Sequence, residues 1–343
     1  MPTLREVAAH AGVSVATASR VANASGLVRP ETRARVQQAM RELLYVPPQR
    51  VDEAHPGAAG AVGLLVPELE NPIFPALAQA MERRAAALGL ATILCNTGGD
   101  ASTEADYVHM LLERRVQGMI FISCEATDLR GDHRHYARLA AEGARLVFVN
   151  SDVEGLNASS IRIDEQAAGR IATEHLLALG HRRIGFVAGP AHAQPTRDKT
   201  LGHEVALREA GVEPAGLVAH DAWGFDGGRA AMQRLLALGR RRPTGVICSS
   251  DLMAVGSLKA AREARLRVPE DLSIVGFDGI GAASWSEPSL TTLEQPIGEM
   301  AECAVQSLQT LFSDSARAVP ELVFRPRLRI GGSTAPPARI RHG

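Results

Sequence analysis

Residues 3–23 read TLREVAAHAGVSVATASRVAN, and this stretch decides what stands at the amino-terminal end of the chain. Thr3-Leu4-Arg5-Glu6 has capping-box spacing: the threonine oxygen accepts from the third helical amide while Glu6 reaches back to the cap amide. Leu4, Val7, Ala8 and Ala11 then share one helical face, and Gly12 supplies the left-handed position that ends the helix. Ser14 caps a second helix over roughly 15–23, and only Ala11-Gly12-Val13 separates the two, the tight connection of a helix-turn-helix. A third helix starts at Pro30, suited to a first helical position, with Val36, Met40, Leu43 and Leu44 as its buried stripe. Those apolar residues alone would be satisfied by a plain three-helix mini-core. The outward face of helix two, with Ala16, Thr17, Arg20 and Asn23, carries short polar groups and one arginine, which suits insertion into a groove.

Charge supports that reading from outside the motif. Residues 1–50 hold seven arginines and three glutamates, a balance of +4, whereas the whole chain of 343 residues has a net charge of −1. A small basic head on an acidic body points to polyanion contact confined to one end. The length allows roughly two globular units, and 45% hydrophobic with 22% charged residues excludes disorder over most of the chain. No window offers the run of about 20 apolar residues that a membrane helix needs. The first residues carry charges and no apolar core of a secretory signal. Four dispersed cysteines (Cys95, Cys124, Cys248, Cys303) form no CxxC pair, so a disulfide framework or zinc ribbon is not expected, and a reducing cytoplasm is the natural setting.

The remainder alternates strand-like and helical runs. AVGLLVP (61–67), ATILCNT (91–97), GMIFIS (118–123) and RLVFVN (145–150) form one series. SIRID (160–164), RRIGFVAG (182–189), LVAHD (217–221), GVICSS (245–250) and LSIVGFD (272–278) form a second. Helical segments lie between them, and such alternation predicts parallel sheets covered on both faces. There are too many strands for one sheet, so the fold class is α/β with two doubly wound lobes. Open parallel sheets bind ligands at the carboxyl ends of their strands, where Asn150, Asp164, Ser249-Ser250-Asp251 and Asp278 stand. Asp251 reads as a helix N-cap. An enzyme would need a phosphate loop, a metal cluster or an activated nucleophile, and GxGxxG, GxxxxGK[ST], HExxH and GxSxG are all absent. The histidines are scattered, with His133 and His135 in a charged stretch expected to be exposed. No cofactor and no metal are expected. The three cysteines that end strands (Cys95, Cys124, Cys248) read as small buried apolar groups.

TLREVAAHAGVSVATASRVAN followed by VRPETRARVQQAMRELLYVP (28–47) resembles the DNA-binding head of the lactose-repressor/galactose-repressor family of bacterial transcriptional regulators. The likeness runs on through GLLVPELENPIFPALAQAMERRAAALG (63–89), CSSDLMAVGSLKAAREARLRVPEDLSIVGFD (248–278) and EPSLTTLEQP (287–296), about residues 3–333 in all. It implies a helix-turn-helix head over 1–46, a hinge over 47–60 and a body of periplasmic-binding-protein type over 61–333. Within the body it implies lobe one at about 61–156 and 292–320, lobe two at about 157–291 and 321–333, and a flexible tail over 334–343. In the head, Thr3, Ser14, Val15, Ala16, Thr17, Arg20, Asn23 and Thr32 are the implied DNA contacts. In the cleft, Phe74 and Trp223 match ligand-lining aromatics, and Lys199 stands where an arginine usually grips hydroxyls or a carboxylate. Asn150, Ser250, Asp278 and Gln295 match groups that bond ligand hydroxyls. The implied protein is a repressor on a near-palindromic operator, a homodimer responsive to a small effector, most simply a sugar. The competing reading, a two-lobed solute-binding protein without regulatory DNA binding, would require a signal peptide.

Two departures from the family are visible. Where relatives carry a hinge helix with a wedging leucine, this chain has PPQRVDEAHPG (47–57), with Ala54 at the leucine position and Asp52 where arginine is common. Pro56 and Gly57 would stop a helix early, and two carboxylates would face phosphates, so little DNA bending is expected. The end of the chain, GGSTAPPARIRHG, has no tetramerising heptad, and a dimer is the expected assembly.

Overall fold

The structure is a computed structural model that describes residues 3–22, 28–43, 60–153, 155–156, 158–214, 216–313 and 321–338. The chain divides into two units, Met1–Ala58 and Ala59–Gly343. The first contains α1 (Leu4–His10), α2 (Val15–Ala22) and α3 (Pro30–Glu42). Val7, Ala8, Ala11, Ala18, Val36 and Ala39 form its core, with Leu4, Val13, Val21, Met40 and Leu43 packed around it. The capping box forms as the spacing predicts: Glu6 N donates to Thr3 Oγ1 at 3.4 Å and Thr3 N to Glu6 Oε2 at 2.6 Å. Ser14 Oγ accepts from Thr17 N at 3.1 Å and starts α2, while Gly12 turns the chain with φ +60°. The hinge over 47–59 and the site candidate Asn23 lie outside the described residues.

The second unit opens with β1 (Ala61–Val66), α4 (Ile73–Ala87), β2 (Ala91–Asn96), α5 (Ala101–Glu113), β3 (Gly118–Ile122), α6 (Arg134–Ala141), β4 (Leu146–Val149) and β5 (Ser159–Ile163). It continues with α7 (Glu165–Ala178), β6 (Ile184–Ala188), α8 (Gln194–Glu209), β7 (Val218–His220), α9 (Gly224–Leu236), β8 (Gly245–Cys248), α10 (Asp251–Glu263) and β9 (Ser273–Asp278). The last elements are α11 (Gly281–Trp285), β10 (Thr291–Glu294), α12 (Ile297–Ser313), β11 (Leu322–Phe324) and β12 (Arg327–Arg329). One sheet has the order β11-β5-β4-β3-β1-β2, the other β12-β10-β9-β8-β6-β7. Every pairing is parallel except β10 with β12. Helices cover both faces, which is why β1, β3, β4, β6, β8 and β9 are almost entirely buried runs rather than alternating ones.

Strand pairing corrects the lobe boundaries expected from sequence. β5 belongs to the first sheet, where Val147 faces Ser159 across the β4 ladder, and β11 extends that sheet beyond it. β10 belongs to the second sheet, with Thr291 opposite Val275 on β9. The chain therefore passes between sheets after β5, after β10 and between β11 and β12. The boundaries near 157, 291 and 321 each miss by one strand, because a single short strand does not reveal its neighbour.

A second correction concerns the tail. Residues 334–338, expected to be flexible, follow a docked segment: Ser333 is fully buried, and its Oγ donates to Ile274 O at 2.5 Å and accepts from Thr291 N at 2.9 Å. Ala335 O accepts from Ser273 Oγ at 3.0 Å and lies 3.0 Å from His181 Nε2. Buried hydroxyl and imidazole groups need partners, and the chain end supplies them. Residues 339–343 lie outside the described residues.

Candidate functional site

In the head, Ser14, Val15, Ala16 and Arg20 lie exposed on or just before α2, and Thr17 and Thr32 are half-buried. Val15 is 45% exposed, an apolar group at the surface of a unit whose core is otherwise closed. Thr3 and Ser14 serve as helix caps, so their oxygens are already engaged with backbone amides. α2 thus presents two short apolar groups, a hydroxyl and a guanidinium on one face, with Ala18 buried beneath. That face can read thymine methyls and bond a base edge or phosphate.

In the second unit, one cavity of about 280 Å³ opens between the two sheets at the carboxyl ends of their strands. Phe74, Asn150, Lys199, Trp223, Ser250, Asp278 and Gln295, dispersed over more than 220 positions of sequence, all line it. Phe74 enters from the first turn of α4, and Asn150 ends β4 in the left-handed region at φ +57°. Lys199 comes from α8, Asp278 is the last residue of β9, and Gln295 follows β10. Trp223 is the N-cap of α9 and Ser250 that of α10.

Glycines make these convergences possible. A Cβ on Gly169 of α7 would lie 2.0 Å from the Lys199 carbonyl oxygen, and one on Gly202 of α8 would lie 2.0 Å from that of Gln166. The two helix backbones therefore touch, which carries Glu165, at the start of α7, against Lys199. Gly228 and Gly256 do the same for α9 and α10, where a Cβ would meet Met253 O at 2.3 Å and Phe225 O at 2.0 Å. The Trp223 ring occupies the space a side chain at Gly189 would need, its nearest carbon 2.5 Å from that ideal Cβ.

The polar groups form a bridge and an ion pair. Asn150 Nδ2 donates to Gln295 Oε1 at 3.2 Å, and Gln295 Nε2 donates to Asp278 Oδ1 at 2.8 Å, linking β4 of one sheet to β9 of the other. Among the side chains that line the cavity, Asn150 Oδ1, Asp278 Oδ2 and Glu165 Oε2 are buried without a hydrogen-bond partner, the last of them ion-paired instead. Lys199 Nζ lies 2.6 Å from Glu165 Oε2 and 4.0 Å from the centre of the Phe277 ring. Burial pushes the Asp278 carboxyl well above the ordinary carboxylate range; Asp251 adds to the shift, while Lys199 and the Gln295 hydrogen bond oppose it. Burial raises Glu165 as well, against the opposing pull of Lys199. Ser250 Oγ accepts from Met253 N at 3.2 Å, which leaves its hydroxyl hydrogen free to donate.

Sequence reasoning missed Glu165, Glu68 and Phe277, which also line the cavity, while Ser249, noted as a strand-end polar group, lines it as well. Glu165 stands one place beyond Asp164, a strand-end residue noted from sequence, whose Oδ1 instead accepts from Ala167 N at 2.9 Å as the α7 cap. Asp251 was expected as an N-cap, but Ser250 takes that role. The Asp251 carboxylate sits over Gly276 and ties three elements together, accepting from Thr292 Oγ1 at 2.5 Å and from Ile280 N at 2.9 Å. Burial pushes its carboxyl up to about 7. His133 and His135, expected to be exposed, are half-buried around α6: His133 Nε2 lies 3.0 Å from Glu125 O, and the His135 ring packs 3.9 Å from that of Tyr136. Cys95, Cys124 and Cys248 are buried, with thiols raised by desolvation. Among the described residues no group of three His, Cys, Asp or Glu side chains could hold a metal ion, and no helix is long and apolar enough to cross a membrane.

Comparison with known proteins supplies the context for both sites. Residues 3–48 match the family of bacterial regulatory proteins described as lacI, and residues 173–334 match the periplasmic binding protein-like domain. The chain is 41% identical over 339 residues to an HTH-type transcriptional regulator in the aml 5′ region of Streptomyces limosus, covering 98% of this chain and 95% of that one. Among solved structures, a complex of the transcriptional regulator CelR with cellobiose is 30% identical with a TM-score of 0.72, covering 97% of this chain and all of that one. A lac repressor dimer bound to operator and an anti-inducer is 27% identical with a TM-score of 0.74, over 97% of this chain and 99% of that one.

Proposed function

The chain belongs to the LacI family of bacterial regulatory proteins and is a DNA-binding transcriptional regulator, not an enzyme. From that premise we propose that it is a cytoplasmic, homodimeric repressor of a near-palindromic operator, controlled by a carbohydrate bound between its lobes. The observation that carries the effector reading is the cavity itself. It offers three aromatic side chains, Phe74, Trp223 and Phe277, of which the first two are open to the apolar face of a ring, and amide, hydroxyl and carboxyl groups for its edge. Asn150, Gln295 and Asp278 already connect the two sheets, so a ligand bonding to the open oxygens of Asn150 and Asp278 favours the closed arrangement of the lobes. A ligand can bias DNA binding only by its different affinity for two states, and the interlobe cleft is where such a difference arises.

For operator contact the proposed residues are Arg20, Thr17, Ala16 and Val15 on α2, with Ser14, Thr3 and Thr32 at helix starts near phosphates and Asn23 beyond the described end of α2. A gel shift on operator DNA, repeated with neutral mono- and disaccharides, tests the whole reading. Arg20→Ala is expected to weaken operator binding by about 1–3 kcal/mol, with the melting temperature and the effector affinity of the body unchanged. Undiminished operator affinity in that variant would remove Arg20 from the interface. Failure of the wild-type chain to bind any operator-like duplex would leave the solute-binding reading standing.

A further inference from the structure

Among the described residues lining the cavity, Lys199 is the only one with a positive charge, and Glu165 already pairs with it, whereas Glu68, Glu165 and Asp278 are carboxylic acids. Lys199 and Glu165 are 5% and 13% exposed at the side chain and lie 2.6 Å apart, held there by the glycine-mediated contact of α7 with α8. The remaining face of the ammonium rests on the Phe277 ring, 4.0 Å from its centre. Asp278 is 4% exposed, and its unpartnered Oδ2 is an acceptor in need of a donor. Helix starts at α8, α9 and α10 surround the cavity and would by themselves favour an anion. Against them stand the three carboxylic acids of the cavity lining.

We propose that Glu165 is a specificity-determining residue that neutralises Lys199 and restricts the cleft to uncharged, hydroxyl-presenting effectors, excluding sugar phosphates and sugar acids. This rests on reading the cavity as the effector site and adds the ligand's charge to it. An anionic group that approaches Lys199 meets a charge already neutralised by Glu165, and drawing the ammonium away from that pair strands a buried carboxylate. A hydroxyl displaces nothing: it donates to Asp278 Oδ2 or Asn150 Oδ1 and accepts from Ser250. Lysine and arginine are not equivalent here, since a guanidinium fork could hold Glu165 and a ligand oxyanion side by side, whereas the ammonium is a compact point charge already set between Glu165 and the Phe277 ring.

The test uses the full chain with Trp285→Phe. That residue is 84% exposed, and its replacement leaves Trp223, in the cavity wall, as the only tryptophan. Inorganic phosphate is titrated against this protein, against Glu165→Gln and against Glu165→Gln combined with Lys199→Met. The expected result is no saturable Trp223 response without the Glu165 change, a salt-sensitive response at least about tenfold tighter in Glu165→Gln, and its loss in the double variant. Equal phosphate binding with and without Glu165→Gln, or none in a folded Glu165→Gln protein, overturns the proposal. Should Glu165→Gln not fold, the wild-type chain decides by melting with glucose and ribose against glucose 6-phosphate, ribose 5-phosphate and glucuronate. Stabilisation by a charged member that matches or exceeds its neutral partner overturns the charge rule while leaving the cleft as effector site. If no sugar of either kind produces a response but phosphate still separates the variants as expected, the carbohydrate reading fails and the role of Glu165 stands.

Discussion

Asp278, proposed above as a ligand contact, occupies a position that is costly for the fold. Its carboxyl is buried, raised by desolvation and by Asp251, and half-satisfied by Gln295. Asp278→Asn replaces a carboxyl whose ionisation burial penalises with a neutral amide of the same shape, so the unliganded protein is expected to melt at the same or a higher temperature. Its affinity for the neutral sugar that wild type binds is expected to fall roughly ten- to a hundredfold, the worth of a hydrogen bond to a buried carboxylate. Titration of the variant that matches wild type would assign Asp278 to the fold instead. His203 presents the opposite case. It is buried beside Phe186, its Nδ1 is 2.8 Å from Thr173 Oγ1, and desolvation lowers its pKa to about 4. The unfolded chain protonates near the ordinary value of 6.5 while the folded chain does not, so stability is constant above that pH and falls as pH drops from about 6.5 to about 4. His203→Gln is expected to flatten this acid-side loss, of up to about 3 kcal/mol. A wild-type-minus-variant difference that is independent of pH between 4 and 7 would refute it.

At the scale of elements, the helix crossings carry the site. The α7–α8 contact is closed by Gly169 and Gly202, and everything placed at that end of the pair, Glu165 and Lys199 included, depends on the backbones touching. Gly169→Ala puts a methyl group 2.0 Å from a carbonyl oxygen and is expected to cost about 1–3 kcal/mol or more, along with the cleft's ligand response. Gly298 near the start of α12 has nothing within 4 Å of an added Cβ, and Gly298→Ala is expected to be neutral or to stabilise by about 0.4–1 kcal/mol. Thermal melts of the pair settle it: equal effects would mean that the crossing is not as tight as drawn. α6 is held differently, by a single side chain. Its eight residues hold one fully buried anchor, Tyr136, whose hydroxyl donates to Glu104 across the lobe.

At the scale of the molecule, the Asn150–Gln295–Asp278 bridge is the polar link between the sheets that the cleft provides. Gln295 follows the second passage of the chain between lobes, and its own amide donates to Asp278 O at 3.2 Å. Gln295→Ala removes two side-chain hydrogen bonds, each worth about 0.5–1.5 kcal/mol, from the interlobe seam and none from either hydrophobic core. The expected outcome is a protein that still binds operator without ligand but whose operator affinity responds less to the sugar. The ratio of operator affinities with and without sugar reads the coupling directly. An unchanged ratio would mean that the lobes communicate by another route.

The helix-turn-helix was legible in residues 3–23 because its signals are local: a cap, a glycine stop and a short turn each act within one helical turn of themselves. The two-sheet body was legible for the same reason, since continuous apolar runs report burial on both faces whatever lies beside them. Asn150, Ser250 and Asp278 were legible as polar groups at strand ends, whereas Phe74, Lys199, Trp223 and Gln295 were reached only through family resemblance, as no spacing in the sequence brings Phe74 near Asp278. Tertiary structure alone decided which sheet takes β5 and β10, that Ser333 and Ala335 close onto Ser273, and that Ser250 rather than Asp251 caps α10. It also decided that Glu165 meets Lys199. A buried charge is invisible in sequence until its partner is known, and that partner lies 34 positions away, brought within 2.6 Å by two glycines that let helices touch.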